Sequence, residues 1–388
     1  MKHLIFSQID SWFFRESRSM DGAGSTALNS IFPPANNTLL GAIRTHIGDT
    51  YHKNNGTDWQ GFKNNNELQS IIGFGNDYAN LQSQGAWLYQ QEQQQLYFPC
   101  PMNIIKQSEE ETGFFTLGQP ILCDLGKVRL PQLDREKSQS PLEHCYISQQ
   151  AFDDVLQGNT PALSNIVERH HIVKTDSRLG IARENHRRKT EDGKLYQTNH
   201  IRLEKDWQLY LGLDGVTDDY LVGDMTVRLG GEARMANISQ LTQAPQLPKK
   251  PTVIVDNEQL VMYLATQTPD CERSENIPML PNNSFKRVDT DDKTVWQGEI
   301  LGKPITIISA ITGKPIRIGG WDMVKHKSLP VRSFIPAGSC WYIETDNKEH
   351  AQAIIDALHG QFLTTGNDRA LGYGQIFIGI ASAFPAQK

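Results

Sequence analysis

The chain has 388 residues, enough for two domains, and its 38% hydrophobic and 21% charged residues exclude an intrinsically disordered protein. Its formal net charge of −6, from 38 basic and 44 acidic side chains, excludes a protein that holds nucleic acid by overall charge, so any RNA site must be a local basic patch. The five cysteines are widely spaced and form no CxxC pair, which excludes a zinc ribbon and a disulfide framework. No stretch of 18 apolar residues occurs that could span a membrane, and we expect a cytoplasmic protein.

The first elements along the chain are a strand, a polar loop and a helix. Lys2–Ile9 has the alternation of a strand and is followed by a loop that contains Arg15 and Arg18. Thr38 is a good N-cap residue. Apolar residues then recur at every fourth position: Leu39, Ile43 and Ile47. This spacing predicts a helix over 39–48.

The next segment, residues 52–96, is rich in asparagine and glutamine. Such a polar stretch does not supply a core of its own, and it is typical of a surface insertion. We therefore predict a surface insertion at about 52–115, either an inserted polar lobe or an extended hairpin.

A candidate linker lies at residues 241–252, which contain three prolines and no apolar periodicity. This segment divides the chain into an N-terminal domain, 1–243, which carries the insert, and a C-terminal domain, 252–388.

The C-terminal part has the clearest local pattern in the sequence. Ser339–Thr345 is a predicted strand, Asp346 is a predicted N-cap, and apolar residues at helical spacing continue to Leu358. A glycine-bearing loop and a further strand, Gln375–Phe384, follow, and Ile305–Ile311 is a strand upstream. This order suits half of a βαββαβ domain. We expect an α+β fold of two ferredoxin-like (RRM-like) domains.

The glycine-bearing loop reads NDRALGYGQ at 367–375. Arg369 supplies charge, Tyr373 supplies an aromatic face, and Gly372 and Gly374 let the backbone approach a ligand closely. The alternative is a tight turn before the last strand, which the glycine pattern taken alone favours.

Two segments are basic within the acidic chain. Residues 165–205 contain ten basic and six acidic side chains, and residues 313–332 contain five basic side chains, one acidic side chain and Trp321. Such segments are typical of a surface along a phosphate backbone, and basic side chains around an aromatic ring suit single-stranded nucleic acid. The alternatives are a solvated face with ion pairs and a tryptophan packed into the core.

His46 and His171 are the candidate general bases of a ribonuclease, because histidine titrates near neutral pH. The sequence identifies no catalytic partner for either residue. The histidines and cysteines lack the spacing of metal ligands, and no Walker A motif occurs. We therefore expect no metal and no cofactor.

Four segments together resemble the RAMP superfamily of CRISPR RNA-binding proteins, most closely its type III-B subunits that cap the five-prime end of the guide RNA. The segments are WFFRESRSM (12–20), SIFPPANNTLLGAIRT (30–45), RLGGEAR (228–234), and PVRSFIPAGSCWYIE (330–344) followed by LGYGQ (371–375). The resemblance implies two ferredoxin-like domains and no catalysis. The partners it implies are the crRNA, the large polymerase/cyclase-like subunit and the backbone RAMP subunits of an effector complex.

From the residues and the resemblance we expect a non-catalytic subunit that grips the five-prime handle of the crRNA with arginines and a glycine-rich loop. The candidate RNA-binding residues are Arg15, Arg18, Arg44, Arg178, Arg183, Arg234, Arg369, Gly372, Tyr373 and Gly374. Two alternatives stay open. One is a metal-independent endoribonuclease of the same superfamily, and the other is the handle-binding subunit of a different type III subtype.

Overall fold

The computed structural model describes residues 1–17, 27–133, 139–184, 189–221, 225–254, 259–271, 279–322 and 327–381. The chain forms two compact units, each built from segments that are not consecutive. The first unit comprises Met1–Gln94, His170–Ala244 and Arg317–Arg332, and the second comprises Gln95–Arg169, Pro245–Ile316 and Ser333–Lys388.

The α-helices of the described residues are α1 (Asn36–Asn55), α2 (Asn66–Ile72), α3 (Gln149–Leu156), α4 (Arg169–Ile172), α5 (Lys348–Leu358) and α6 (Gly366–Ala370). Short 3-10 turns cover Trp59–Asn64, Leu163–Asn165 and Asp218–Tyr220.

The strands of the main sheets and of one long hairpin, numbered along the chain, are β1 (Lys2–Gln8), β2 (Gln82–Gln90), β3 (Gln95–Pro99), β4 (Cys145–Ser148), β5 (Ile166–Glu168), β6 (Val173–Glu184), β7 (Lys189–Leu203), β8 (Trp207–Asp214), β9 (Met225–Arg228), β10 (Met235–Gln240), β11 (Leu260–Leu264), β12 (Lys286–Asp289), β13 (Thr294–Ile300), β14 (Lys303–Ile311), β15 (Cys340–Glu344) and β16 (Ile376–Ile380). Shorter strands cover Ala27–Leu28, Ile104–Lys106, Thr112–Phe114, Thr116–Leu117, Ile121–Cys123, Gly126–Val128, Pro131–Gln132, Ser140–Pro141, Thr268–Pro269, Ile316–Ile318, Trp321–Asp322, Lys327–Ser328 and Arg332–Ile335.

Helix α1 is longer at both ends than the sequence predicted. Tyr51 and His52 are buried and extend its packed face, and Gly56 ends it with a φ of +65°, a conformation that glycine adopts without strain. The helix begins at Asn36, whose buried amide donates to a backbone carbonyl of β2. Thr38 is therefore not the N-cap.

In the first unit the strands pair antiparallel in the order β2–β8–β1–β10–β9. The predicted first strand is confirmed as β1, and its Leu4 and Phe6 are fully buried. Strands β6 and β7 form a long antiparallel hairpin, with Ala27–Leu28 paired in parallel to β7. This hairpin carries the first basic segment of the sequence.

The glutamine-rich segment is not a surface lobe. Trp87 and Leu88 on β2, and Leu96 and Phe98 on β3, are almost completely buried. The glutamines share these strands with large apolar side chains, and Gln84 itself is only 6% exposed. The prediction of an inserted polar lobe is wrong for these strands, because composition averages over positions that the sheet separates into buried and exposed.

The second unit contains a six-stranded antiparallel sheet in the order β12–β13–β14–β15–β11–β16. Strands β15 and β16 both pair with β11, so α5 connects two parallel strands across an intervening one, a split βαβ unit. Helix α5 packs Ala351, Ile354, Ile355 and Leu358 into the core. Its N-cap is Asn347, one residue after the predicted Asp346, and the Asn347 side chain accepts from the His350 N–H at 2.8 Å.

Residues 95–169 group with the C-terminal segments, which the sequence did not indicate. They contribute β3, β4 and β5, paired antiparallel, and α3. The ring of Phe152 on α3 meets those of Tyr263 and Phe377, each with 5.8 Å between centroids. The fold is mixed α+β, mostly strands. The description as two ferredoxin-like domains, with a boundary at 243–252, stays a prediction.

Candidate nucleic-acid interface

Two of the predicted arginines, Arg178 and Arg234, meet other charged residues near the end of β1 in the first unit. Asp10 follows β1, and β6 places Asp176 and Arg178 two residues apart, on one face of the hairpin. Arg202 lies on β7, and the loop between β9 and β10 supplies Glu232 and Arg234. We call these six residues the Asp10 cluster.

One carboxylate accepts from three guanidinium groups. Arg178 donates to Asp10 Oδ2 over 3.0 Å, Arg234 donates to the same oxygen over 3.1 Å, and Arg202 donates to Asp10 Oδ1 over 3.0 Å. Arg178 also donates to Asp176 over 2.8 Å, and Arg234 lies 3.7 Å from Glu232. Three guanidinium groups thus face three carboxylates, and their formal charges cancel.

The cluster lies at the solvent boundary. The side chains of Asp10 and Arg202 are 48% and 50% exposed, and that of Arg178 is 31% exposed. The hydrogen bond from Arg178 lowers the pKa of both Asp10 and Asp176 below the usual aspartate value. Both carboxylates therefore stay ionised at neutral pH and hold the guanidinium groups in place.

The buried side chain of His200 on β7 contacts the Asp10 cluster through Glu232. It is fully buried, its Nε2 lies 2.9 Å from a Glu232 oxygen, and its Nδ1 lies 3.2 Å from the Ser11 hydroxyl. Burial lowers the pKa of His200, which favours a neutral ring. A neutral ring with the proton on Nε2 donates to Glu232 and accepts from Ser11, and the ring of Phe13 stacks on it at 5.2 Å.

The Gly-Gly turn of RLGGEAR sets the position of Glu232 and Arg234. Gly230 has a φ of +86°, and a Cβ there would lie 2.5 Å from the backbone oxygen of Phe13. The Gly231 N–H donates to that same oxygen over 2.7 Å. The turn therefore approaches the loop after β1 more closely than a residue with a side chain allows.

The structure brings two predicted RNA-binding residues together, Arg178 and Arg234, in the Asp10 cluster. Arg15 is exposed in the loop after β1. Arg18 lies outside the described residues, as does the side chain of Arg183.

The guanidinium group of Arg44 is held by contacts within the protein. Its guanidinium donates to the backbone oxygens of Gly75 and Asp77 over 3.1 and 3.2 Å and lies over the ring of Tyr78 at 5.0 Å. Burial lowers its pKa. The predicted role of Arg44 on RNA would require it to leave these contacts.

The glycine-rich loop of the second unit closes on itself. Tyr373 is 2% exposed, with its ring 5.0 Å from that of Phe334, so it is not the exposed stacking face that the sequence predicted. The N–H groups of residues 372, 373 and 374 donate to backbone oxygens of Arg369, Asp368 and Gln267. The positive φ angles of the two glycines serve this turn, and the N–H groups are already used. The Arg369 guanidinium lies over the ring of Phe362, 3.6 Å from its centre.

Sequence reasoning did not single out Asp10, His200 or Arg202. Thr198, His200 and Arg202 alternate along β7, so a strand periodicity marks them as one face. Asp10 carries no such signal, because its partners Arg178, Arg202 and Arg234 lie far away in sequence.

Two general properties of the described residues bear on function. None of their helices combines the length and the hydropathy that crossing a membrane requires. Their histidine, cysteine, aspartate and glutamate side chains form no group of three or more suited to a metal ion.

Comparisons with known proteins relate the chain to CRISPR systems. The family model described as CRISPR-associated protein (Cas_Cmr3) matches residues 6–381. A chain in a cryo-EM structure of the type III-B Cmr-beta complex bound to cognate target RNA is 14% identical, covers 96% of each chain and has a TM-score of 0.50, which shows a shared fold.

Two further solved structures are similar over most of the chain. A chain of the Cmr-beta complex with cognate target RNA and AMPPnP is 14% identical, over 91% of this chain and 88% of that one, with a TM-score of 0.47. A chain of the Csm3–Csm4 subcomplex of the type III-A interference complex is 12% identical, over 89% and 98%, with a TM-score of 0.37. Among curated proteins nothing matches.

Proposed function

Since this chain belongs to the CRISPR-associated protein family Cas_Cmr3, we propose that it is a non-catalytic subunit of a type III-B effector complex and binds the five-prime handle of the guide RNA. The match over residues 6–381 confirms the RAMP-type family that the four sequence segments indicated. A solved structure that shares the fold is a chain in a type III-B complex bound to target RNA. The family match is the observation that carries the proposal.

The Asp10 cluster supports the RNA part of the proposal. A guanidinium group binds a phosphate with the same paired N–H donors with which it binds a carboxylate. Arg178, Arg202 and Arg234 already point at one carboxylate that is half exposed. A phosphate of the guide RNA can approach these donors from solvent and share them with Asp10.

The overall charge is consistent with this arrangement. A chain of net charge −6 has no overall electrostatic attraction for RNA, so binding depends on arginines that are held locally. We propose the large polymerase/cyclase-like subunit and the backbone RAMP subunits of the complex as its protein partners. Surface outside the local arginines would then contact these proteins rather than RNA.

The test measures the affinity of the full chain for a handle-bearing RNA and for an RNA of equal length with a scrambled handle. We expect tighter binding of the handle-bearing RNA. We also expect Arg178→Ala and Arg234→Ala to weaken binding and to flatten its salt dependence by about one phosphate contact each. Arg287→Ala is the matched control, because Arg287 is 37% exposed and pairs with Asp289 in the second unit. Equal affinity for both RNAs would contradict handle recognition.

The non-catalytic part of the proposal has a separate test. His171 is exposed beside His170, and burial lowers the pKa of His46 on α1. We expect no site-specific cleavage when the chain is incubated with repeat RNA in EDTA. Cleavage that disappears in His46→Ala or His171→Ala would show instead a metal-independent endoribonuclease.

A further inference from the structure

The second basic segment of the sequence contains an exposed tryptophan. Trp321 is 57% exposed and begins a short hairpin in which Trp321–Asp322 pairs with Lys327–Ser328. By contrast, Trp12, Trp87 and Trp341 are fully buried. The structure thus decides between the two interpretations of the sequence, because this ring does not pack into the core.

The exposure of Trp321 does not come from a detached segment. The Gly319 N–H donates to the Ser17 hydroxyl over 2.7 Å, and the Leu329 N–H donates to the Gly320 oxygen over 2.9 Å. A Cβ on Gly319 would lie 2.9 Å from Ser17 Oγ, and one on Gly320 would lie 2.9 Å from Asn37 Nδ2. The backbone on the N-terminal side of Trp321 is therefore docked closely on the first unit, and the ring is presented from a fixed base.

Basic residues flank Trp321 along the chain. Residues 317–332 contain four basic side chains and one acidic side chain in the sequence, and Arg317 and Lys327 are exposed in the structure. Arg15 is also exposed, two residues before the Ser17 that anchors the segment. In the Asp10 cluster, by comparison, three carboxylates offset three guanidinium groups.

We propose that Trp321 is a stacking platform for one unpaired base of RNA, with Arg317 and Lys327 on the adjacent phosphates. An exposed indole offers a flat face on which a base stacks, and neighbouring cations follow the phosphate backbone of a single strand. The excess of basic side chains favours RNA over an apolar protein partner, because a protein interface core is depleted of charge. The inference rests on the proposed RNA-binding function and adds a second contact to it.

The experiment titrates the full chain against a fluorescently labelled single-stranded RNA that carries the handle, at several salt concentrations. We expect Trp321→Ala to weaken binding about tenfold with an unchanged salt slope, since stacking on an aromatic side chain is neutral and worth about 1–3 kcal/mol per base. We expect Trp321→Phe to lose less than about threefold, because a smaller aromatic face remains. The Arg317→Gln, Lys327→Gln double variant reduces the salt slope by about 1.4.

Leu122→Ala is the matched control, because Leu122 is an apolar side chain that is 85% exposed in the second unit. It should leave RNA affinity unchanged. A direct readout is photocrosslinking to an RNA that contains 5-iodouridine, with the crosslinked peptide expected to contain Trp321.

The outcomes separate this inference from the function on which it rests. Handle-specific RNA binding that is equal in the wild type and Trp321→Ala overturns the stacking platform and leaves the proposed function intact. A wild-type chain that does not distinguish the handle removes the proposed function itself. If Trp321→Ala keeps its RNA affinity but no longer co-purifies with the other subunits, Trp321 is a protein contact and the stacking platform is wrong.

Discussion

Replacing Asp10 by asparagine tests whether the Asp10 carboxylate competes with an RNA phosphate for the three arginines of the cluster. The wild-type carboxylate accepts from Arg178, Arg202 and Arg234 over 3.0 to 3.1 Å. Asparagine keeps an oxygen that accepts hydrogen bonds and removes one negative charge. The formal charge of the cluster therefore changes from zero to +1, while part of the geometry is retained.

The expected magnitude follows from counterion release. One additional uncompensated guanidinium adds about 0.7 to the salt slope for a single strand, which corresponds to about fourfold tighter binding at 0.15 M salt. The same substitution should strengthen RNA binding but slightly weaken the stability of the folded chain. Exposed ion pairs contribute about 0.2–1 kcal/mol each and are screened by salt, so Asp10→Asn should lower the free energy of unfolding by about 1 kcal/mol.

The assay is fluorescence anisotropy of a handle-bearing RNA at 0.05 to 0.3 M salt, with thermal unfolding measured in parallel. Asp289→Asn is the control, since it removes the same charge from an arginine pair in the second unit. If Asp10→Asn binds more weakly than the wild type, or equally with the same salt slope, Asp10 positions the arginines without competing with phosphate, and the reasoning fails.

Three further predictions concern stability. Tyr373→Ala should lower the free energy of unfolding by about 3 kcal/mol, and Tyr373→Phe should leave RNA affinity unchanged, because the ring is buried. Asn347→Ala should cost about 1 kcal/mol in thermal unfolding through the lost N-cap of α5, whereas Asp346→Ala should change stability by less than about 0.5 kcal/mol. Burial lowers the pKa of His200, so its contribution to stability is complete above about pH 6.5 and is lost as the pH falls, a loss that His200→Gln should reduce in unfolding measured from pH 7 to pH 5.

Each of these three predictions has a contradicting result. Weaker RNA binding by Tyr373→Phe would show that the Tyr373 hydroxyl contributes to RNA binding. Equal stabilities of the Asn347→Ala and Asp346→Ala variants would remove the assigned cap. Parallel pH profiles for the wild type and His200→Gln would show that His200 does not titrate differently in the folded state.

Elements whose signals are local could be predicted from the amino-acid sequence. Alternation predicted β1, and apolar residues at every fourth position predicted the centre of α1. The C-terminal strand, helix and strand followed from the same kind of pattern, with the cap of α5 misplaced by one residue. The family could also be identified, because short segments with distinctive residues kept their order along the chain.

The polar segment at 52–115 shows where composition fails. Counting glutamines predicted a surface lobe, but Trp87 and Phe98 make β2 and β3 part of the packed structure. The position of a side chain relative to the core depends on which strands pair, and composition does not contain that information.

The sequence indicated Arg178 and Arg234, but which residues meet in the Asp10 cluster became clear only from the folded chain. Asp10 meets Arg178, Arg202 and Arg234 across sequence separations of 168, 192 and 224 residues, and no local pattern links them. The same holds for the aromatic residues, since Tyr373 is buried and Trp321 is exposed although both lie beside glycines. Which ring faces solvent, and which charges are offset, depends on the packing of distant segments, because burial and Coulomb interactions act through space rather than along the chain.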